Sequence, residues 1–308
     1  MATPNPTPTP GAARSAPWFA RVERGFPYVL LIPAAIALLA VSVFPLYQGI
    51  EASFTQFVFG RPKGSAGFDN YINVFTDATF WDSMWTTVRF VSIVLVIETV
   101  LGLALALLVQ RELKFVRVFR MSIIAPMTVA PVAVGVIWRL MYASDTGIVD
   151  PLFVALGQKA PEVLSHPETA FWGLVVVDVW EWTPLLFLLA LAGLQSLPQE
   201  PLEAAVVDGA GPFRVLREHT IPLLMPVLAV GIVLRLIDAI GTFDQIFVLT
   251  RGGPGTSTQL ISIYAYNTAF NFTQYGQGAA MLVTLFVLVF ALMMVVLRLM
   301  KRAQRVAG

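Results

Sequence analysis

The sequence predicts an all-α integral membrane protein of six transmembrane helices, with a short cytoplasmic helix between the fourth and fifth. Three observations carry this prediction. Hydrophobic residues make up 57% of the chain and charged ones only 13%, with a mean hydropathy of +0.74, whereas about a quarter of a soluble domain is charged. Six stretches reach the roughly 20 predominantly apolar residues needed to cross a hydrocarbon core. Thirteen Lys and Arg fall in the tails and loops of one side against four on the other, an asymmetry that sets orientation and places both termini in the cytoplasm.

Residues 1–25 form a tail in which Pro alternates with Thr, Asn, Ala and Ser up to Pro17, followed by the basic flank Arg21 and Arg24. Such a segment has too little apolar surface to order itself. The membrane-spanning body runs from 26 to 302. Its first span, Phe26–Gln48, is longer than the apolar region of a secretory signal and lacks a small-x-small site after it, so it reads as a retained helix. Glu51 to Met84 is an external excursion of short amphipathic pieces. The second span, Trp85–Gln110, leads to the basic loop Arg111, Lys114, Arg117 and Arg120. The third, Phe119–Tyr142, contains Pro126 and Pro131, and an external loop with the turn Asp145-Thr146-Gly147 follows it.

The fourth span, Phe171–Gln195, is interrupted by Pro184. Pro198 and Pro201 stop it and start a short helix that Gly209 and Gly211 end, within a cytoplasmic loop over 198–220. The fifth span, Ile221–Leu249, opens with Pro222 and Pro226 and leaves through Arg251-Gly252-Gly253-Pro254-Gly255. Tyr264, Tyr266, Phe270, Phe272 and Tyr275 in the next loop suit a membrane–water interface. The sixth span, Ala279–Met300, precedes a C-terminal cytoplasmic tail over 303–308. Each proline within a span frees a carbonyl and bends the helix, giving tolerated kinks in a passive anchor and flexure points in a moving bundle.

Eight ionisable residues lie within or at the ends of the spans: Arg89, Glu98, Arg139, Asp178, Glu181, Arg235, Asp238 and Asp244. Each costs about 2.5–3.5 kcal/mol at a helix centre on insertion scales, so most must face protein or water. Residues three or four apart share a helix face. Asp178 and Glu181 therefore make one polar patch, flanked by Trp180 and Trp182, and Arg235, Asp238, Ala239 and Thr242 make another on the next span. Indole faces pack on the C–H faces of sugar rings and carboxylates accept from hydroxyls, so the pattern fits neutral polyols. Two readings of Arg235 and Asp238 stay open, a structural ion pair or ligand contacts. Glu98 is expected to make an interhelical hydrogen bond, and Arg89 and Arg139, near span ends, are expected to snorkel. A second functional class, a stand-alone secondary transporter or channel using Asp178, Glu181 and Asp238 as proton or cation sites, is compatible with the same residues.

The chain contains no Cys, which excludes disulfides, thiolate metal sites and cysteine nucleophiles. His166 and His219 are isolated from any metal-like cluster. Phosphate-loop, His-Glu-x-x-His and Gly-x-Ser-x-Gly motifs are absent from the sequence, so nucleotide chemistry must come from another chain. A net charge of +1 gives no indication of a nucleic-acid partner.

Glu203-Ala204-Ala205, followed by Asp208-Gly209 and Pro222, resembles the EAA loop of binding-protein-dependent ABC importer permeases. Gly211-Pro212-Phe213 and Val248-Leu249-Thr250-Arg251-Gly252-Gly253-Pro254-Gly255 look like the carbohydrate branch, the maltose, trehalose and glycerol-phosphate type. The likeness runs from about Phe26 to Arg302. One departure is His219, which stands ten residues after the motif glycine where the family has a branched apolar residue. The resemblance implies a transport subunit rather than an enzyme, in a bacterial inner membrane. Glu203, Ala204, Ala205, Asp208, Gly209, Ala210 and Gly211 would form the coupling helix. No cofactor is expected on this chain, with ATP and Mg bound by a separate ATPase dimer at the cytoplasmic face. The other implied partners are a second homologous permease, making a heterodimer, an extracytoplasmic sugar-binding protein, and membrane lipid. It also implies a sugar site on the spans before and after the coupling loop, which maps onto Asp178, Glu181, Trp182, Leu185, Arg235, Asp238, Ala239 and Thr242. Amide and aromatic residues of the maltose-type site are replaced here by Asp178, Glu181, Asp238 and Thr242, which argues against maltose itself.

Overall fold

The structure, a computed structural model, describes residues 31–110, 115–144, 146–155, 157 and 162–307. The Pro-rich tail, the basic residues Arg111 and Lys114, and Asp145 of the expected turn lie outside the described residues. Helix accounts for 78% of the structure, and five helices are long and apolar enough to cross a membrane, or up to six if one bent pair counts as a span. The chain divides into two compact units, one ending at Glu51 and the other beginning at Ala52.

Helix α1, Leu31–Ser53, contains a π-helical turn over Leu39–Val43. In the second unit a hairpin of β1, Thr55–Val58, and β2, Arg61–Ser65, follows, with a bulge between Gln56 and Phe57. Its two-residue turn, Phe59-Gly60, has φ of 48° and 75°, the left-handed pair that matches strand twist. Helix α2, Asp69–Thr76, holds the hairpin through Asn70, whose Nδ2 donates to the carbonyls of Ser53 at 2.9 Å and Thr55 at 3.1 Å. These are short pieces of the kind that the sequence predicts after the first span.

Helix α3, Ala78–Val109, starts two turns before the expected Trp85 because Asp77 caps it, accepting from the Thr79 N–H at 2.9 Å. Tyr264 donates to the other oxygen of Asp77. The third span is not the single helix expected over Phe119–Tyr142. Helix α4, Val116–Ile124, runs through a 3₁₀ turn, Ala125–Thr128, and then meets α5, Pro131–Met141, at 100°. The reason is proline chemistry: Pro131 pushes the preceding residue out of the helical region, and Ala130 and Val129 are extended at ψ of 136° and 139°. A short helix, α6, covers Val149–Ala155.

Helix α7, Pro167–Ser196, is the centre of the second unit: 61% of its most apolar window is buried, against 28% for α3. It packs along α3, and the approach is close at Gly102, where an added Cβ would lie 2.8 Å from the backbone nitrogen of Phe187. Helix association in lipid relies on such small residues, because lipid tails are as apolar as the side chains they replace.

After extended Leu197 comes the short helix α8, Glu200–Val207. Its end is a Schellman motif: Gly209 at φ +83° lets its own N–H reach the Val206 carbonyl at 3.0 Å and the Ala210 N–H reach Ala205 at 2.9 Å. Helix α9, Pro212–Gly241, then carries a π turn over Leu216–Thr220. The sequence predicts an unbroken fifth span to Leu249, but α9 ends at Gly241. Thr242 turns to ψ 125°, and a separate helix, α10, covers Asp244–Leu249. Tertiary contacts capture the break, since Ser262 donates to the Thr242 carbonyl at 2.7 Å.

Helix α11, Ile261–Tyr266, continues into a π turn over Asn267–Asn271. Its residues Ile261, Ile263 and Ala265 are fully buried. The segment expected to supply interface aromatics therefore also folds back into the protein, while Phe270 and Phe272 remain exposed. Helix α12, Tyr275–Ala307, extends beyond the expected span at both ends.

Candidate functional site: a buried charge cluster beside a small cavity

The two polar patches meet. Asp178 and Glu181 on α7 and Arg235 and Ala239 on α9 are buried, Trp182, Leu185 and Thr242 are half-buried, and Asp238 is exposed. Arg235 is the largest fully buried side chain among the described residues. Its Nε donates to Glu98 Oε2 at 2.9 Å and its Nη2 to Glu98 Oε1 at 3.1 Å, a bidentate pair from α9 to α3. Nη2 also donates to Asp178, and Nη1 to Asp238 Oδ2 at 2.8 Å. Cζ of Arg235 lies over the Trp182 ring, 5.1 Å from its centre, within cation–π range.

The cluster thus ties three long helices together, and α10 joins it because Gln245 Nε2 donates to the second oxygen of Asp178. Helical spacing put Asp178 with Glu181 and Arg235 with Asp238 on shared faces, as the sequence predicts. Glu98 does make an interhelical bond, although no pattern in the sequence named its partner. Gln245 was not anticipated at all: the residue lies beyond a helix break that the apolar run conceals. Of Glu181, Oε2 is buried with no hydrogen-bond partner, as is Oε1 of Gln245. Arg89 and Arg139 stand apart from the cluster. Arg89 stacks over the Phe171 ring at 4.2 Å, and Arg139 donates to the Val248 carbonyl at 3.1 Å.

Beside the cluster is a cavity of about 140 Å³ whose walls include Pro131, Trp182, Asp238, Thr242, Asp244 and Gln245. It sits where α9 breaks and α10 begins, so the break exposes Asp238, Thr242 and Asp244 to one space. Carboxylates and a hydroxyl beside an indole can accept hydrogen bonds from a polyol while stacking on its C–H face. Among the described residues no group of three or more His, Asp or Glu is arranged to hold a metal ion.

At the opposite end of the same two spans, α8 and the turn that ends it expose Glu203, Ala204, Asp208, Gly209 and Gly211, while Ala205 is buried and Ala210 half-buried. Val206 and Val207 are 60% and 86% exposed, an apolar edge next to acidic residues at the start of the helix.

Comparison with known proteins gives these features a context. Residues 98–305 match the family described as binding-protein-dependent transport system inner membrane component. The chain is 38% identical over 272 residues to the trehalose/maltose transport system permease protein MalF of Thermococcus litoralis, covering 88% of this chain and 92% of that one. It is 33% identical over 286 residues to the sulfoquinovosyl glycerol transport system permease protein SmoG of Agrobacterium fabrum, covering 92% and 93%. The fold is similar to a chain in the crystal structure of a bacterial alginate ABC transporter in complex with alginate pentasaccharide-bound periplasmic protein, with a TM-score of 0.79 and 21% identity over 92% of this chain and 97% of that one. Membership in a family of transport components does not favour the reading of a stand-alone secondary transporter or channel. Multiple apolar spans, the fold and the extent of these matches lead to one conclusion: the chain is a multi-pass membrane protein that belongs to the family of binding-protein-dependent transport system inner membrane components.

Proposed function

We propose that this chain is a permease subunit of an ATP-driven importer that moves a sugar or sugar derivative across the bacterial inner membrane by alternating access. One observation carries the reading: the exposed helix α8 is joined directly to α7 and α9, the two spans that share the charge cluster and the cavity. A displacement of α8 is therefore applied to the helices that frame the cavity. The kinship with sugar permeases supports the cargo class.

In this reading residues 26–302 form a six-span permease domain in which the bent pair α4 and α5 counts as the third span. Residues 1–25 and 303–308 are cytoplasmic tails. The loop over 198–220 is cytoplasmic, and Glu203 to Gly211 make the coupling helix that inserts into a separate ATPase dimer, where ATP and Mg are bound. The basic loops and tails support this orientation. An extracytoplasmic solute-binding protein delivers cargo to the outward-open state. The cavity is smaller than the roughly 300–1,000 Å³ of most ligand pockets, which fits a site completed by a second, homologous permease. Of the eight residues expected to bind cargo, Trp182, Asp238 and Thr242 line this cavity and face cargo, while Arg235 organises the wall through Asp238.

The test is ATPase activity of the reconstituted complex. Liganded binding protein should stimulate hydrolysis, and Gly209→Pro or Glu203→Lys in α8 should abolish the stimulation while the ATPase subunits retain activity when isolated. Full stimulation in both variants would remove the mechanical role of α8.

A further inference from the structure

Arg235 is the cation that an anionic cargo would need within the polar stripes of α7 and α9. A guanidinium presents five N–H donors. Four hydrogen bonds leave Arg235, two to Glu98 and one each to Asp178 and Asp238, and its side chain is fully buried. The charged groups on the cavity wall are Asp238, whose side chain is 47% exposed, and Asp244. Glu98 does not line the cavity. It bonds Arg235 from a different helix, and its bidentate grip fixes the plane of the guanidinium. Three carboxylates surround one cation in the cluster, and the charged groups on the wall itself, Asp238 and Asp244, are both acidic, so the formal charge is negative at the wall and behind it.

We propose that Glu98 is a specificity-determining positioning residue: together with Asp178 it holds Arg235 away from the cavity, leaving a negative wall that accepts uncharged polyhydroxyl cargo and rejects anionic cargo. The proposal rests on the reading of this cavity as part of the cargo path. Like charge set against like charge is an effective device for excluding a wrong ligand. The hydroxyl-accepting groups that remain, Asp238, Asp244 and Thr242, suit a neutral sugar ring against Trp182.

The natural absence of Cys makes the local potential measurable, because Thr242→Cys places a single thiol in the cavity wall. In the complete complex in nanodiscs, the thiol is titrated with two methanethiosulfonates of similar size, a cationic trimethylammonium-ethyl and an anionic sulfonatoethyl reagent, each rate being normalised to a free thiol in solution. Potentials of several kT should make the cationic reagent faster by roughly tenfold or more. Adding Glu98→Gln should lower that ratio several-fold, and the paired change Glu98→Gln with Arg235→Gln, which removes both charges, should restore it. A purely structural role for Glu98 would leave the ratio unmoved as long as the complex assembles. A ratio at or below one with Glu98 in place overturns the proposal without the need for any further variant, as does an unmoved ratio in Glu98→Gln. Thiols that react with neither reagent show instead that the cavity is closed to water, and then the cargo-path reading falls and takes the proposal with it.

Discussion

At the scale of single residues the governing fact is that a guanidinium sits fully buried among carboxylates from three helices. Coulomb attraction in a low-dielectric interior is offset by the cost of taking each ion out of water, so the intact cluster is weak ground for a large stability gain. Breaking it is a different matter, because a buried charge is left without its partner. Glu98→Ala should therefore destabilise the protein by about 3–5 kcal/mol, read as a lower midpoint in denaturant titrations in detergent. A loss below about 1 kcal/mol, the range of exposed pairs, would mean that water enters the cluster freely. Tyr264, outside the spans, offers a second residue-scale test. Burial, and then the Asp77 carboxylate it donates to, push its phenol up to about 12. A raised value means the stabilisation is whole below the unfolded value near 10 and is lost as pH climbs through 12. Thermal midpoints should therefore fall across that alkaline window, and Tyr264→Phe should flatten the fall.

At the scale of elements, helix ends and crossings are set by a few small residues and prolines. Gly209 adopts a left-handed conformation that costs an ordinary residue about 1–2 kcal/mol, so Gly209→Ala should fray the end of α8. The expected readout is partial loss of cargo-stimulated ATPase activity with an unchanged unfolding midpoint, since α8 is exposed. A midpoint lowered as far as in core variants would instead place α8 within the cooperative core. At the α3–α7 crossing, an added Cβ on Gly102 already meets backbone at 2.8 Å. Gly102→Leu should push the helices apart at a cost of about 1–3 kcal/mol, the usual range for overpacking. Gly241→Ala is the control, because a Cβ there meets nothing within 4 Å, and its midpoint should stay within about 0.5 kcal/mol of the wild type. One proline pair acts more severely than glycine: Pro126 and Pro131 turn one expected span into two helices at 100°.

At the scale of the whole molecule, a cavity of about 140 Å³ beside a half-exposed Asp238 is too small for a complete sugar site of the usual size. The chain reconstituted alone should show no ion-driven sugar uptake, whereas the assembled complex should show ATP-dependent uptake. Uptake by the single chain would favour the reading of a stand-alone transporter instead. Much of this organisation is legible along the chain, because apolar runs of membrane length, basic loops and the Glu203-Ala204-Ala205 stretch with its terminating Gly209 are local signals. Lipid demands long apolar helices and a glycine is favoured where the backbone turns left-handed, so composition and spacing alone mark the spans and α8. Helical periodicity also pairs Asp178 with Glu181 and Arg235 with Asp238. It cannot say which faces of different helices meet. Glu98 stands 137 residues from Arg235, and Gln245 reaches Asp178 only because the apolar run from Ile221 to Leu249 breaks at Thr242, where Ser262 takes the carbonyl. Pairing across helices is settled by packing of the folded chain, and for that reason the fate of Arg235, bound to carboxylates rather than open to cargo, becomes visible in three dimensions and nowhere earlier.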